Sequence, residues 1–245
     1  MKRTVWLAAG LLAALQGASA AEIDAKVEAA LGADIRTEAE RARDANRKPL
    51  ETLQFFRLSD DMDVLELVPG GGWYTKILAP VLAENGSLAV AVGGQFVAPV
   101  LEQGGWDVEV IETGSFSPVE GSPLFRMDGL DFGEARFDLV LTFRNLHNFD
   151  AGTRAAMNAA VFRALRPGGL YGAVDHTRRH MQAETDENWR RMDPVLAIRE
   201  ILAAGFEFVD YSDLHYRPDD ELRYEVGRRT VTGNTDRFTL LFRRP

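Results

Sequence analysis

A glycine-rich turn between an apolar run and a periodic segment most constrains what this chain can fold into. Residues 64–68 are apolar apart from Glu66, and Pro69-Gly70-Gly71-Gly72 follows before an apolar-periodic segment opens at Trp73. This order predicts a buried strand, a tight turn and a helix start. Glycines let backbone approach a ligand closely, and a helix start offers unpaired N–H groups. The turn therefore predicts a nucleotide-like cofactor site near residue 70, although an ordinary turn of another doubly wound fold is the alternative.

The first twenty residues have the three parts of a secretory signal peptide. Lys2 and Arg3 precede an apolar run from Val5 to Leu15, and Ala18-Ser19-Ala20 follows. This layout predicts cleavage after Ala20 and a periplasmic or secreted protein. The run is too short for a permanent transmembrane anchor. The alternative is an apolar helix that stays attached to the protein.

The charge and the cysteine count exclude several classes of function. The net charge is −9, and there is no cysteine. An acidic chain disfavours general nucleic-acid binding, which needs cationic surface. The lack of thiols excludes cysteine nucleophiles, iron–sulfur ligation and thiolate zinc sites, and it suits an oxidising compartment.

Short apolar runs alternate with helical segments from Asp63 onward, which predicts βαβ units and a mostly parallel sheet. The predicted strands are Val64–Val68, Leu88–Val92, Val108–Ile111, Phe137–Thr142, Leu170–Asp175, Phe206–Tyr211 and Phe238–Phe242. The predicted helices are Trp73–Leu82, Val97–Gln103, Gly152–Leu165 and Pro194–Ala204, with one or two more within residues 23–46. We expect an α/β, Rossmann-like fold: a seven-stranded mostly parallel sheet with an antiparallel last strand and helices on both faces. The expected divisions are a signal peptide (1–20), an N-terminal helical extension (21–50) and an α/β domain (51–245).

A polar cluster follows the predicted strand Phe137–Thr142. Its members are Arg144, Asn145, His147 and Asn148. Ligands of open α/β sheets bind at the carboxyl ends of the strands, and a histidine there can accept a proton near neutral pH. A histidine that caps the next helix is an equally good interpretation. We expect this segment and the glycine turn to line one cleft.

Two further groups of polar residues have simpler interpretations. Asp175, His176 and His180 follow another strand, and a substrate-side loop is favoured over a metal site because a helix is not expected at a strand end. The arginines near the C-terminus are interpreted as solvated or ion-paired, with Arg237 an exception only if it points inward.

Taken in order, these segments resemble the class I S-adenosylmethionine-dependent methyltransferases. The turn after Glu66 resembles the first motif of that family, Phe137-Asp138-Leu139-Val140 the fourth, and Leu165-Arg166-Pro167-Gly168-Gly169 the turn before the fifth strand. A closer similarity is to a bacterial branch of predicted methyltransferases that carry signal peptides. It lies in these segments: 43–49, 51–56, 69–75, 144–148 and 235–238.

The resemblance implies roles for individual residues. The cofactor would be S-adenosylmethionine, bound by Glu66, Pro69, Gly70, Gly71, Gly72, Tyr74 and Asp128. His147 would be the catalytic base, and Asn145 and Arg144 would orient the acceptor. Two features depart from the family: Val68 stands where the first glycine is usual, and residues 89–94 offer no acid for the ribose hydroxyls.

The resemblance leaves the reaction open. An exported methyltransferase with a small-molecule cofactor and an unknown acceptor, and no nucleic-acid partner, is the main hypothesis. A non-catalytic small-molecule-binding protein on the same scaffold is the alternative, because of Val68 and the missing acid. A hydrolase or metal-assisted enzyme that uses His147, Asp175 and His176 is a third, but neither a Gly-x-Ser-x-Gly nor a His-Glu-x-x-His motif supports it. The oligomeric state is left open.

Overall fold

The computed structural model describes residues 21–245, and the predicted signal peptide lies outside these residues. A seven-stranded sheet forms the centre of the structure, in the order β3-β2-β1-β6-β7-β9-β8. The strands are β1 (Asp63–Leu67), β2 (Ser87–Ala91), β3 (Glu109–Ile111), β6 (Phe137–Phe143), β7 (Leu165–His176), β8 (Glu207–Ser212) and β9 (Arg237–Arg243). The strands β3, β2, β1, β6 and β7 are mutually parallel, whereas β9 is antiparallel to both β7 and β8. The predicted α/β fold is therefore confirmed.

The helices cover both faces of the sheet. They are a helix over residues 21–32 (α1), α2 (Glu38–Arg41), α3 (Asp44–Arg47), α4 (Pro49–Phe55), α5 (Thr75–Leu82), α6 (Gly94–Gly104), α7 (Ala151–Ala164) and α8 (Pro194–Ala203), with a 3₁₀ turn at Leu146–Asn148. The helices α7 and α8 both start at side-chain caps. The Asp150 carboxylate accepts the Thr153 N–H at 2.7 Å, and Asp193 caps α8 directly before Pro194, whose missing N–H costs nothing at a first helical position.

The central strand β1 shows why the sheet lies inside the molecule. Val64, Leu65 and Leu67 are fully buried. Leu65 and Leu67 pack into one apolar cluster, while Val64 packs into a second cluster on the opposite face. Successive strand residues point to opposite faces, so a strand covered on both sides is apolar nearly throughout.

Two local features differ from the sequence prediction. Residues 115–128 contain a separate antiparallel hairpin, β4 (Ser115–Pro118) and β5 (Phe125–Asp128), which was not predicted. Its strands are short and largely exposed, so they lack the apolar alternation that predicts a strand. Leu165–Gly169, predicted as a turn, belongs to the start of β7. The pairing with β6 is nevertheless irregular there, because it jumps from Leu165 to Leu170.

The N-terminal helices pack against the α/β unit through the residues after the glycine turn. The Trp73 indole N–H donates to the Glu40 carbonyl at 3.3 Å, and Lys76 forms an ion pair with the Glu40 side chain at 2.9 Å. The Arg47 guanidinium lies 4.2 Å from the centre of the Trp73 ring. In residues 21–245 no helix combines the length and the apolar character needed to span a bilayer.

Candidate functional site

Three neighbouring parallel strands end with the same unusual backbone conformation. Val68, Val92 and Arg144 follow β1, β2 and β6, and their φ angles are +52°, +66° and +63°. Non-glycine residues rarely adopt this left-handed region, and β-branched valine is the most disfavoured there. Strain of this kind clusters at ligand sites when the surrounding structure holds it in place. The carboxyl edge of the sheet, where ligands bind in open α/β folds, is therefore the candidate site.

The three glycines of the turn have different surroundings. A Cβ added to Gly70 or Gly71 would meet no heavy atom within 4 Å. A Cβ on Gly72 would lie 3.0 Å from Val97 and 3.1 Å from Val100 of α6. Gly70 and Gly71 thus border open space that a ligand can enter, whereas Gly72 permits close packing of the turn against α6.

Glu66 is buried beneath the turn. Its carboxyl group accepts a hydrogen bond from the Thr75 hydroxyl at 2.6 Å. Burial raises its pKa to about 8, and this effect exceeds the opposing influence of the hydroxyl and of the Arg47 charge. Since the charged form of a buried carboxyl is disfavoured, a large fraction of Glu66 is protonated at neutral pH.

Tyr74 and Pro69, both predicted to bind a cofactor, are buried. The Tyr74 ring stacks on Phe143 with 3.6 Å between ring centres and meets Trp73 edge-on. Tyr74 is 4% exposed, so it supports the turn from the core side.

Asn145 joins the turn to the polar cluster after β6. Its side-chain amide donates to the carbonyls of Leu67 and Val68, each at 3.3 Å, and lies 3.3 Å from the Thr142 hydroxyl. Asn145 therefore fixes the carboxyl end of β1 relative to the end of β6.

His147 forms a dyad with Asp175. The imidazole Nδ1 lies 2.5 Å from Oδ1 of Asp175, and the His147 backbone N–H donates to Oδ2 at 3.0 Å. Asp175 is fully buried and also accepts the N–H of His176 at 2.7 Å. A carboxylate on Nδ1 places the proton there and leaves Nε2 as the acceptor. No side chain or backbone group of residues 21–245 hydrogen-bonds to Nε2, so it can accept a proton from a ligand.

His176 is held beside this dyad. Its ring centre lies 5.5 Å from that of His147, and its Nδ1 lies 2.9 Å from the Thr235 hydroxyl. Burial lowers the pKa of His176 well below its usual range, and the neighbouring His147 and Arg144 lower it further. His176 is therefore neutral at physiological pH. In the part of the chain that the structure describes, no three histidine or acidic side chains converge as metal ligands.

A cavity of about 340 Å³ opens beside the two histidines. Its lining is Arg43, Asn46, Arg144, His147, Asn148, His176, Arg190, Val226, Gly227, Thr232, Gly233, Thr235 and Arg237. The glycine turn does not line it. The expectation that both segments line one cleft is therefore not met by this cavity, which takes in the histidine segment alone.

The remaining predicted residues lie around this edge. Asp128 ends β5 and is exposed. Ala91 and Val92, at the end of β2, confirm that no acid is available there. Phe96, in the first turn of α6, is 64% exposed and contacts the Gly93 position. It was not singled out in the sequence, where one phenylalanine in a helix resembles any core residue.

Three cavity residues were also missed or assigned weakly. Arg43 and Asn46 come from the N-terminal helical segments, whose charged pattern is that of an ordinary solvated helix. Arg237 is the first residue of β9 and is 4% exposed. It therefore points inward, unlike the solvated or ion-paired arginines expected near the C-terminus. In the sequence it directly precedes the predicted strand Phe238–Phe242 and lies in the segment 235–238 that shares in the family resemblance.

The fold is shared with solved structures of low sequence identity. No family model and no curated protein matches the chain. An S-adenosylmethionine-dependent methyltransferase from Aquifex aeolicus is 14% identical, with a TM-score of 0.58 over 83% of this chain and 93% of the other. Burkholderia thailandensis 1,6-didemethyltoxoflavin-N1-methyltransferase, solved with its substrate and S-adenosylhomocysteine, is 20% identical, with a TM-score of 0.53 over 81% and 77%.

A third similar structure has a different reaction in its name. The [4+2]-cyclase SpnF is 16% identical, with a TM-score of 0.57 over 82% of this chain and 80% of that protein. At such identities the similarity shows architecture, and one fold hosts several chemistries. The chain thus has the fold of the class I S-adenosylmethionine-dependent methyltransferases.

Proposed function

We propose that this protein is an exported S-adenosylmethionine-dependent methyltransferase that acts on a small molecule. The observation that carries the proposal is the free Nε2 of His147, which Asp175 orients at the carboxyl end of β6. Two residues earlier, Asn145 holds the end of the strand that leads into the glycine turn. A base and a turn of this kind, side by side, are what transfer of a group to a protic nucleophile requires.

The turn fits the amino-acid part of the cofactor. Gly70 and Gly71 border open space, and the Glu66 carboxyl lies directly beneath with only Thr75 as a hydrogen-bond partner among residues 21–245. An ammonium group near Glu66 would favour the ionised carboxylate and offset part of its burial cost. Glu66, Gly70 and Gly71 would therefore hold this part, and Tyr74, Pro69 and Gly72 would support them.

The adenosine part would lie toward β2 and α6. Phe96 offers an exposed aromatic face at the end of β2, and stacking on such a face suits a purine. Asp128 is an exposed acid on the neighbouring hairpin. Because β2 ends without a carboxylate, the ribose would lose an acceptor worth roughly 1–3 kcal/mol if its hydroxyls were buried. We therefore expect weaker cofactor binding than in enzymes that have this acid.

The chemistry needs one proton acceptor. When bound, S-adenosylmethionine would supply an electrophilic methyl group to an acceptor oxygen or nitrogen, with the neutral thioether of S-adenosylhomocysteine as the leaving group. His147 takes the proton of that acceptor atom at Nε2. Asp175 keeps the ring in the required tautomer and stabilises the imidazolium that results. His176, kept neutral by its surroundings, does not add a competing charge at the ring.

Calorimetry of the purified protein with S-adenosylmethionine and S-adenosylhomocysteine tests this proposal. We expect saturable binding of both. Absence of heat for both ligands at about millimolar concentration, together with an unchanged melting temperature, would overturn it.

A non-catalytic binding protein is the second candidate, and the observation that favours it is Val68. A valine at φ +52° in place of the family's first glycine gives the turn a side chain where the usual cradle has none. This candidate predicts that a different small molecule stays bound through purification. Mass spectrometry of the denatured protein would detect that molecule, whereas recovery of the methyl donor would contradict the candidate.

A further inference from the structure

The cavity beside His147 is strongly cationic in an otherwise acidic protein. The chain carries a net charge of −9, yet no aspartate or glutamate lines this cavity. Arg43, Arg144 and Arg237 lie on its wall with His147 and His176. The other lining residues are neutral apart from Arg190, which is ion-paired with Glu225.

The three arginines have little compensation from the protein. Neither Arg43 nor Arg144 forms an ion pair with any of residues 21–245. Arg237 donates to the backbone carbonyl of Asn46 at 2.8 Å and to the side-chain oxygen of the same residue, both of which are neutral acceptors. Most arginines elsewhere do have a carboxylate: Arg191, for example, forms a buried bidentate pair with Asp220.

The guanidinium groups are close enough to oppose one another's charge. Burial and then the charge of Arg43 lower the pKa of Arg144. Burial and then Arg144 lower the pKa of Arg237 to about 10. Behind them, the same two influences lower the pKa of Arg47 to about 8. Arg43, Arg144 and Arg237 line the same cavity, which agrees with this mutual repulsion.

Such a cluster is costly without an anion. Arg237 is 4% exposed, and a buried charge without a counter-ion is disfavoured; the neighbouring like charges of Arg43 and Arg144 add to that cost. An anion in the cavity would remove both penalties. Guanidinium groups are suited to carboxylate and phosphate oxygens, because their N–H groups match these acceptors in pairs.

We propose that the cavity is the acceptor subsite and that the acceptor is a small molecule bearing a carboxylate or a phosphate. That the bound molecule is the methyl acceptor rests on the proposed function, whereas the anion site itself does not. Arg43, Arg144 and Arg237 hold the anionic group, and the nucleophilic atom of the same molecule lies toward Nε2 of His147. A cavity of about 340 Å³ suits a metabolite-sized ligand rather than a polymer.

The connection between β8 and β9 closes this subsite. Residues 213–236 supply five of its wall positions, and none of the five is charged: Val226, Gly227, Thr232, Gly233 and Thr235. The buried Arg191–Asp220 pair fixes the first part of this connection. The positive charge of the lining therefore comes from residues outside this connection.

Inorganic phosphate at pH 8, without cofactor, is the first probe. We expect the melting temperature to rise by about 2–4 °C at about 10 mM phosphate relative to sodium chloride of equal ionic strength. Succinate in a parallel titration distinguishes a carboxylate site from a phosphate site. No stabilisation by either anion would overturn the proposal.

Single arginine substitutions test whether the anion binds in this cavity. Arg144→Gln is expected to weaken anion binding by about tenfold or more, since it removes a charged hydrogen-bond donor. Arg43 is exposed, so Arg43→Gln should fold normally and weaken binding several-fold. Arg199→Gln, an exposed arginine on α8 that lies outside the cavity lining, is the matched control and should bind as the wild type does. Equal binding by all three variants would contradict the assignment to this cavity.

Saturating S-adenosylhomocysteine separates the acceptor subsite from the cofactor site. We expect phosphate to stabilise the protein equally with and without it. Mutual exclusion would show that the arginines hold the carboxylate of the cofactor, which would overturn the acceptor assignment. Phosphate binding without any binding of S-adenosylhomocysteine would refute the proposed function while the anion site stands, and the reverse result would refute only the anion site.

Discussion

The carboxylate of Asp175 contacts His147 at two points. Its Oδ1 lies 2.5 Å from the ring nitrogen Nδ1, and its Oδ2 accepts a hydrogen bond from the backbone N–H. The histidine is the second residue of the 3₁₀ turn after β6, and the aspartate is the penultimate residue of β7. The two strands are parallel neighbours, so the sheet itself sets this distance. The dyad is thus part of the rigid scaffold, which favours a chemical role over a flexible surface contact.

The first prediction concerns the tautomer of His147. Because Nδ1 faces a carboxylate, we expect nitrogen NMR at pH 8 to show a protonated Nδ1 and an unprotonated Nε2. Asp175→Asn should lose this single tautomer, since an amide can donate as well as accept. His180, which is largely exposed although it contacts Asp193, is the internal reference and should be unaffected. A protonated Nε2 in the wild type would contradict the proposed base.

The second prediction separates the roles of two adjacent glycines. Gly72→Ala should destabilise the fold by about 1–3 kcal/mol, because φ is +77° and Val97 lies against the new methyl group. Gly71 does not have a positive φ and has free space around it, so Gly71→Ala should leave the free energy of unfolding unchanged within about 1 kcal/mol. Calorimetry should nevertheless show weaker S-adenosylhomocysteine binding by Gly71→Ala, and full affinity would remove this part of the turn from the site.

The third prediction assigns Phe96 to the purine. Phe96→Ala should reduce the affinity for S-adenosylhomocysteine by about fivefold to tenfold, as loss of a stacking partner does. The melting temperature should stay the same because the ring is exposed. Phe96→Trp should retain binding, and Met181→Ala, another exposed apolar residue, is the control. An unchanged affinity of Phe96→Ala would place the adenine elsewhere.

The architecture could be predicted because its signals are local. The apolar residues of β1 and β6, and the periodic patterns of α5 and α8, each identify one element without reference to the rest of the chain. All seven strands of the main sheet were predicted close to their observed positions. The β4–β5 hairpin was missed because its residues are mostly exposed, which removes the burial pattern on which such predictions depend.

The site could be predicted only in part, because its contacts are distant in sequence. His147 was found from its position after a strand, but its partner Asp175 was interpreted as part of a substrate-side loop. Pairing them requires the register of β6 against β7. Likewise, Arg43 and Arg237 meet in one cavity although 194 positions separate them, and no local pattern encodes that meeting.

The last prediction concerns the pH dependence of stability through Glu66. Its pKa is about 8 in the folded protein against an ordinary value of 4.5, mainly because of burial. Below pH 4.5 the carboxyl is protonated in both states and costs nothing. As the pH rises from 4.5 to 8, the unfolded chain releases the proton more readily, so the free energy of unfolding falls, by an amount on the order of a few kcal/mol. Glu66→Gln cannot titrate, and it should therefore lose this decline and gain stability over the wild type most clearly near pH 8. Urea denaturation at pH 5 and pH 8 measures the difference.

The opposite effect of His215 does not disturb this comparison. Burial lowers the pKa of His215 to about 4, so this residue adds stability as the pH rises from 4 to 6.5. The contribution is the same in the wild type and in Glu66→Gln, and it cancels in the comparison. Parallel pH profiles for the two proteins would show that Glu66 is ionised in the fold, which would contradict its assignment as a buried, largely neutral carboxyl.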